Sequence, residues 1–101
     1  MSFASEMDEA MARMMSAMHA PAASGDPDID FLAMMIPHHA GAVDMARAVL
    51  RYGRDPATRQ LAEEIIAGQT IEIEGMQRRL AMLRRPQRAP EFPALGGTRG
   101  P

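Results

Sequence analysis

A connection of only a few residues joins the two longest helical segments of this chain. Gly53 is the expected end of one segment, and Asp55 followed by Pro56 is a frequent pattern for a helix N-cap and first helical residue. Because so short a link leaves the chain no room to turn away, we expect the two helices to form an antiparallel hairpin. At equal rise per residue, residues whose numbers sum to roughly 108 should then lie at the same height.

Capping residues and helix breakers predict three helices in all. The first should span 5–19, with Ser5 as its cap and Asp8 reaching back to complete a capping box. The second should cover about 28–52 and the third about 56–85. The expected fold class is therefore an all-α antiparallel bundle with three helices per chain.

Two proline-containing regions modify this outline. Pro37 lies about two turns inside the second helix, where it removes one backbone hydrogen bond and should kink or break the helix. The segment 86–101 is rich in Pro and Gly with little periodicity, which predicts an extended or disordered tail behind a single helical domain at 1–85. Three helices leave part of the hairpin face uncovered, and a homodimer could complete a larger bundle there.

The composition excludes several classes of function. The chain has 13 acidic and 11 basic residues scattered along the helices, so no basic stripe indicates a nucleic-acid partner. No segment approaches the ~20 apolar residues of a membrane span, and the N-terminus shows no secretory signal. The sequence offers neither a nucleophile with a plausible base nor a glycine-rich phosphate loop, so we expect no enzymatic activity.

Methionine and histidine are the remaining candidates for a functional site. The chain has 11 Met and no Cys, and the run Met-Met-Ile-Pro-His-His lies in the second helix. On that helix Met34, His38 and Met45 fall within roughly 40° of arc, and Met34 is one turn from His38. We expect Met34 and His38 to share an ion with Met76 from the facing helix, while Met45 belongs to a neighbouring site.

The adjacent His39 points about a quarter turn away, beside Met35, so the two histidines should not bind one ion together unless Pro37 distorts the helix. The inward stripe of the third helix carries two polar residues, Gln69 and Glu72, at the predicted height of His38. Polar groups on an apolar face need partners. Either residue could therefore accept the His38 N–H that faces away from a bound metal.

A second methionine stripe lies on the first helix, with His19 at its margin. Its members fall within roughly 60° of arc, and they are Met7, Met11, Met14 and Met18. An ordinary packing helix would mix in Leu, Ile or Val, which define a core better than flexible Met does. Since Met stripes at helical spacing are more often core or partner-binding surface than ligand sets, both interpretations stay open.

The combination of donors indicates which metal is expected. Thioether and imidazole select copper, particularly Cu(I), whereas Mg, Ca and Mn prefer oxygen ligands. Zinc normally takes Cys or more His than this chain concentrates, and a di-iron carboxylate site needs Glu-x-x-His, which is absent. Met ligands suit a copper site outside a reducing cytosol, because they form no disulfides.

Three segments carry a wider resemblance: 30–46, which contains the Met-Ile-Pro-His-His core, 61–66 and 69–76. Together they resemble the bacterial family called domain of unknown function 305. The resemblance implies a ferritin-like helical bundle, a periplasmic or secreted location and copper binding through Met and His. The residues to which it points are His38, His39, Met34, Met35, Met45 and Met76.

The sequence thus predicts a copper-binding protein for sequestration, tolerance or delivery. The candidate ligands are the six residues that the resemblance indicates, joined by Met7, Met11, Met14, Met18 and His19. The alternative is a non-catalytic interaction or structural module, in which Met packs the core and the first helix offers a pliable surface to a partner. A metal-dependent redox enzyme ranks third.

Overall fold

The computed structural model describes residues 1–85, and all of their regular structure is helical. The three helices are α1 (Phe3–His19), α2 (Pro27–Tyr52) and α3 (Pro56–Leu83). The predicted all-α class with three helices is confirmed. The predicted tail at 86–101 lies outside the described residues. No helix within 1–85 is both long enough and apolar enough to cross a membrane.

Side-chain caps determine where each helix begins. Ser2, rather than Ser5, caps α1: Ser2 Oγ accepts the Ser5 N–H at 3.1 Å, and Ser5 Oγ accepts the Ser2 N–H at 3.0 Å. The predicted capping box of Ser5 and Asp8 is therefore wrong, because a serine pair satisfies the free amides one turn earlier. Asp26 caps α2 ahead of the predicted start, and Asp55 caps α3 as predicted.

α2 continues through Pro37 without a break. Proline removes one backbone donor from the helix interior, but the hydrogen bonds on either side remain. Pro37 is half-buried within α2, whose neighbours pack along both sides. Tertiary packing therefore sustains the helix where local propensity predicted a possible break.

α2 lies between the other two helices. Met14 of α1 packs against Gly41, whereas Glu72 of α3 bonds to His39. Because Gly41 and His39 are two residues apart on α2, their outward directions differ by about 160°. Within residues 1–85, no Cα atom of α1 lies within 8 Å of a Cα atom of α3. The three helices therefore form one layer with α2 in the middle.

Small residues let the helices approach closely. The buried apolar residues are Ala10, Ala33, Val43, Ala46, Ala48, Ala62 and Leu80. At Gly41 the approach is closest, since a Cβ placed there would lie 2.9 Å from Cβ and 2.5 Å from Sδ of Met14. Glycine is thus required at this contact for steric reasons. No large side chain among the described residues is completely buried.

Polar contacts tie the start of α1 to the end of α2. Glu6 accepts hydrogen bonds from the Arg51 guanidinium and, at 2.5 Å, from the Tyr52 hydroxyl. These bonds, led by that from Arg51, lower the pKa of Glu6 below its ordinary value of 4.5. Arg13 pairs with Asp44 at 3.5 Å further along. α1 and α2 therefore run in opposite directions.

Candidate metal centre

A histidine and a carboxylate bridge α2 and α3. Nε2 of His39 lies 2.7 Å from Oε1 of Glu72, and the side chains are 14% and 58% exposed, respectively. The other ring nitrogen of His39, Nδ1, is buried without a hydrogen-bond partner among the described residues. Buried polar atoms in folded proteins normally have a partner. The missing hydrogen-bond partner of His39 Nδ1 therefore points to a ligand at this atom.

The predicted contact between His38 and Glu72 is wrong, because His39 occupies that position. The observed register between α2 and α3 differs from the predicted one by about three residues, or about 4.5 Å of helix rise. His38 is instead exposed on the open face of α2. The acceptor is Glu72 rather than the alternative, Gln69, which is half-buried elsewhere on α3.

Two methionines lie one turn from the His39–Glu72 pair. Met35 precedes His39 by four residues, and Met76 follows Glu72 by four. α2 and α3 run in opposite directions. Met35 is therefore displaced from His39, and Met76 from Glu72, by about 6 Å in the same direction along the helix pair. Met35 and Met76 are both half-buried. The fold thus brings an imidazole and two thioethers to adjoining levels of one interface.

The remaining α2 candidates lie on the open face between α1 and α3. Met34 is 41% exposed and lines a pocket of about 200 Å³ together with Met18 of α1. The prediction that Met34 faces Met76 is therefore wrong: its methionine neighbour comes from α1, and the register places Met76 at the level of Met35. Met45 is half-buried in a separate groove with Met7.

A family profile matches residues 1–80, most of the chain, and its description is "Domain of unknown function (DUF305)". The chain belongs to this family. One curated relative of the DUF305 domain is an uncharacterized protein of Acanthamoeba polyphaga mimivirus, 41% identical over 49 residues. That match covers 48% of this chain and 32% of the viral protein, so the chain spans about a third of its relative's length.

The methionines of α1 in this DUF305 domain have different surroundings. Met14 fills the space over Gly41, while Met18 and Met7 adjoin Met34 and Met45, respectively. Met11 is exposed, as is His19 at the end of the helix. Because thioethers that pack in a groove can also face a bound ion, these positions do not decide between ligand and packing roles.

Hard donors are not gathered in this DUF305 domain within residues 1–85. No three side chains of His, Asp or Glu come close enough together there to hold one metal ion. At adjoining levels of the α2–α3 interface lie His39, Met35 and Met76, which offer one nitrogen and two sulfur donors. Such a set matches the preferences of a soft cation.

Residue spacing did not by itself reveal the His39 interface. Ala62, Ile73 and Leu80 of α3 are separated by eleven and seven residues, so they lie on one side of the helix, and all three are buried or half-buried. His39 and Ala46 on α2 are also seven residues apart. A seven-residue spacing marks the contact line of two long helices, but His38 and Met45 share it, so the spacing does not distinguish the two histidines.

Proposed function

We propose that this DUF305 domain binds Cu(I) through Nδ1 of His39 and the thioethers of Met35 and Met76. The observation that carries the proposal is the buried Nδ1 without a partner, on a ring whose other nitrogen is bonded to Glu72. Bound copper serves sequestration, tolerance or delivery, and no catalytic step is involved.

The hydrogen bond to Glu72 supports this role for Nδ1. An ionised carboxylate only accepts hydrogen bonds, so Nε2 of His39 carries the proton and Nδ1 keeps its lone pair. Metal-binding histidines commonly donate their second N–H to a carboxylate in this way, which fixes the ring and its tautomer. A buried acceptor without a donor costs free energy, and a cation at Nδ1 removes that cost.

The donor set supports copper in its reduced state. Two neutral thioethers and one neutral imidazole suit Cu(I), which prefers soft ligands. The Glu72 carboxylate, hydrogen-bonded to the ligand ring, offsets the charge of the ion. Zn²⁺ normally requires Cys, carboxylate or additional His ligands directly on the metal.

The open face offers a second group of the same chemistry. His38 is exposed, Met34 lies beside Met18, and Met14 is one helical turn from Met18. Of the other candidate ligands, Met7 and Met45 line a groove on the same face, whereas Met11 and His19 are exposed on α1.

We propose in addition an antiparallel bundle of ferritin-like type and a periplasmic or secreted location. The contacts of α2 with α1 and with α3 support antiparallel neighbours, and the ferritin-like type rests on the family resemblance. A periplasmic or secreted location accords with a site built without Cys, because thioethers tolerate oxidising surroundings.

Copper competition tests the proposal. The full chain should take Cu(I) from a colorimetric Cu(I) chelator and should bind Zn²⁺ more weakly. The double variant Met35→Leu with Met76→Leu should lose at least about tenfold in Cu(I) affinity, because Leu keeps the packing volume but removes sulfur. Met82→Leu on the exposed outer side of α3 is the matched control. Absence of Cu(I) binding, or preference for zinc, overturns the proposal.

A further inference from the structure

An apolar groove crosses the open face of the layer. It has a volume of about 410 Å³, and the large side chains along it are Met7, Met45, Val49, Leu61 and Ile65. No charged residue lines the groove. Leu61 and Ile65 are 58% and 42% exposed, although apolar side chains of this size are normally found inside proteins. The groove therefore resembles a hydrophobic core that is covered on one side only.

The opposite face of the layer has a different character. A cleft between α1 and α2 there has a volume of about 310 Å³ and is lined mainly by acidic and arginine side chains. Glu6 with Arg51 and Arg13 with Asp44 neutralise one another within it. The charged face is compatible with water, whereas the groove leaves apolar area exposed. A partner is therefore expected at the groove and not at the cleft.

The interior of one chain is small. Its buried residues within 1–85 are five Ala, one Val, one Leu and one Gly, and no Cα atom of α1 lies within 8 Å of a Cα atom of α3 there. A small domain buries a low fraction of its surface and often needs association or another support for stability. Covering the groove adds the large apolar side chains that the single layer leaves out.

We propose that a second copy of this chain covers the groove, so that two layers pack face to face about a two-fold axis. An identical groove presents apolar surface to apolar surface and leaves no charge unpaired, as an isologous interface requires. The groove extends about 10 Å along α2, from Ala42 to Val49, and the open face continues beyond it to Met34 over a total of about 22 Å. Three helices about 8–10 Å apart span the width of this face. Such a face buries on the order of 500–800 Å² per copy, which reaches the range of specific dimers.

This dimer does not rest on the proposed copper binding, so its test uses the metal-free full chain. Sedimentation equilibrium between about 1 and 100 μM should give twice the mass of one chain at the upper end, because interfaces of this size hold in that range. Thermal stability should rise with protein concentration, since association stabilises only the folded state.

Charge substitutions on α3 locate the interface. Ile65→Glu should weaken association at least about tenfold by placing a charge in the contact. Ile71→Glu is the matched control, because Ile71 is 68% exposed and lies about 120° around the helix from Ile65. Circular dichroism checks that each variant is helical. If Ile65→Glu does not fold, Leu61→Gln provides the milder test.

Each alternative occupant has its own outcome. A wild-type chain that stays monomeric while Ile65→Glu lowers its thermal stability indicates that segment 86–101 covers the groove. A monomer whose stability is unchanged by Ile65→Glu indicates a different protein as the partner. A dimer that resists Ile65→Glu but separates with Ile71→Glu uses another face. All three results overturn the proposal, whereas a dimer weakened by Ile65→Glu alone supports it.

Discussion

Nε2 of His39 and Oε1 of Glu72 lie 2.7 Å apart across the α2–α3 interface. The bond joins two helices that are adjacent in the chain, and it fixes one end of the imidazole while Nδ1 points into the protein without a partner. A ring held in this way has its lone pair oriented before any ligand arrives. Orientation of this kind reduces the entropy that binding must otherwise overcome.

Replacing Glu72 by Gln tests this orienting role. The amide keeps the shape of the side chain but loses its charge, and its NH₂ group can turn toward Nε2 and favour the other tautomer. We expect Cu(I) affinity to fall about 10–100-fold with little change in helicity. Glu74→Gln removes the same charge from an exposed neighbouring position and is the control. Equal effects of both variants would indicate a general charge effect.

Local signals predicted the outline of the fold. Asp55 and Pro56 begin α3 as expected, and Gly53 ends α2 with its N–H bonded to the carbonyl of Val49. Caps and prolines act within one turn of the chain, so the sequence displays them directly. The start of α1 was missed because two serines three residues apart, Ser2 and Ser5, both offered a cap, and their reciprocal hydrogen bonds make Ser2 the capping residue.

The identity of the inward histidine could not be predicted as readily. Apolar side chains surround much of α2, including Met34, Met35 and Ile36 in succession, so periodicity did not single out one buried stripe. α2 also packs on both sides, which gives it two contact lines instead of one. The register between α2 and α3 depends on side-chain packing beyond the turn that joins them. Because the observed register differs from the predicted one by about three residues, His39 rather than His38 lies opposite Glu72.

Two glycine substitutions test the close contact between α1 and α2. Gly41→Ala should destabilise the fold by about 1–3 kcal/mol, because the new Cβ meets Met14 and overpacks the contact. Gly68→Ala should instead stabilise it by about 0.5–1 kcal/mol, because nothing lies within 4 Å and alanine favours the helix. Urea unfolding measures both. A stabilising Gly41→Ala would mean that α1 does not pack here as described.

Replacing the α1 stripe separates ligand from packing methionines. Changing Met7, Met11, Met14 and Met18 together to Leu keeps a similar apolar volume, so helicity should be nearly unchanged. If the open face also carries copper, the variant binds fewer Cu(I) ions than the wild type while the His39 site is retained. Chelator titration counts the ions. An unchanged count in a folded variant would assign the stripe to packing alone.

Acid should loosen the junction between α1 and α2. The pKa of Glu6 is lowered by Arg51 and Tyr52, so its stabilisation is complete above the unfolded value near 4.5 and is lost as pH falls through the lower folded value. Glu6→Gln should therefore be less stable than wild type at neutral pH, and the difference should shrink as the pH falls below about 4.5. Asp30 and Asp55, also with lowered pKa values, keep some acid sensitivity in both proteins.

Copper X-ray absorption spectroscopy on the full chain, loaded with one equivalent of Cu(I), tests most directly whether His39, Met35 and Met76 hold the ion. We expect sulfur neighbours together with one imidazole, and this imidazole should disappear in His39→Ala but remain in His38→Ala. A copper environment of nitrogen and oxygen alone would contradict the account. Loss of the imidazole in His38→Ala but not in His39→Ala would contradict it equally.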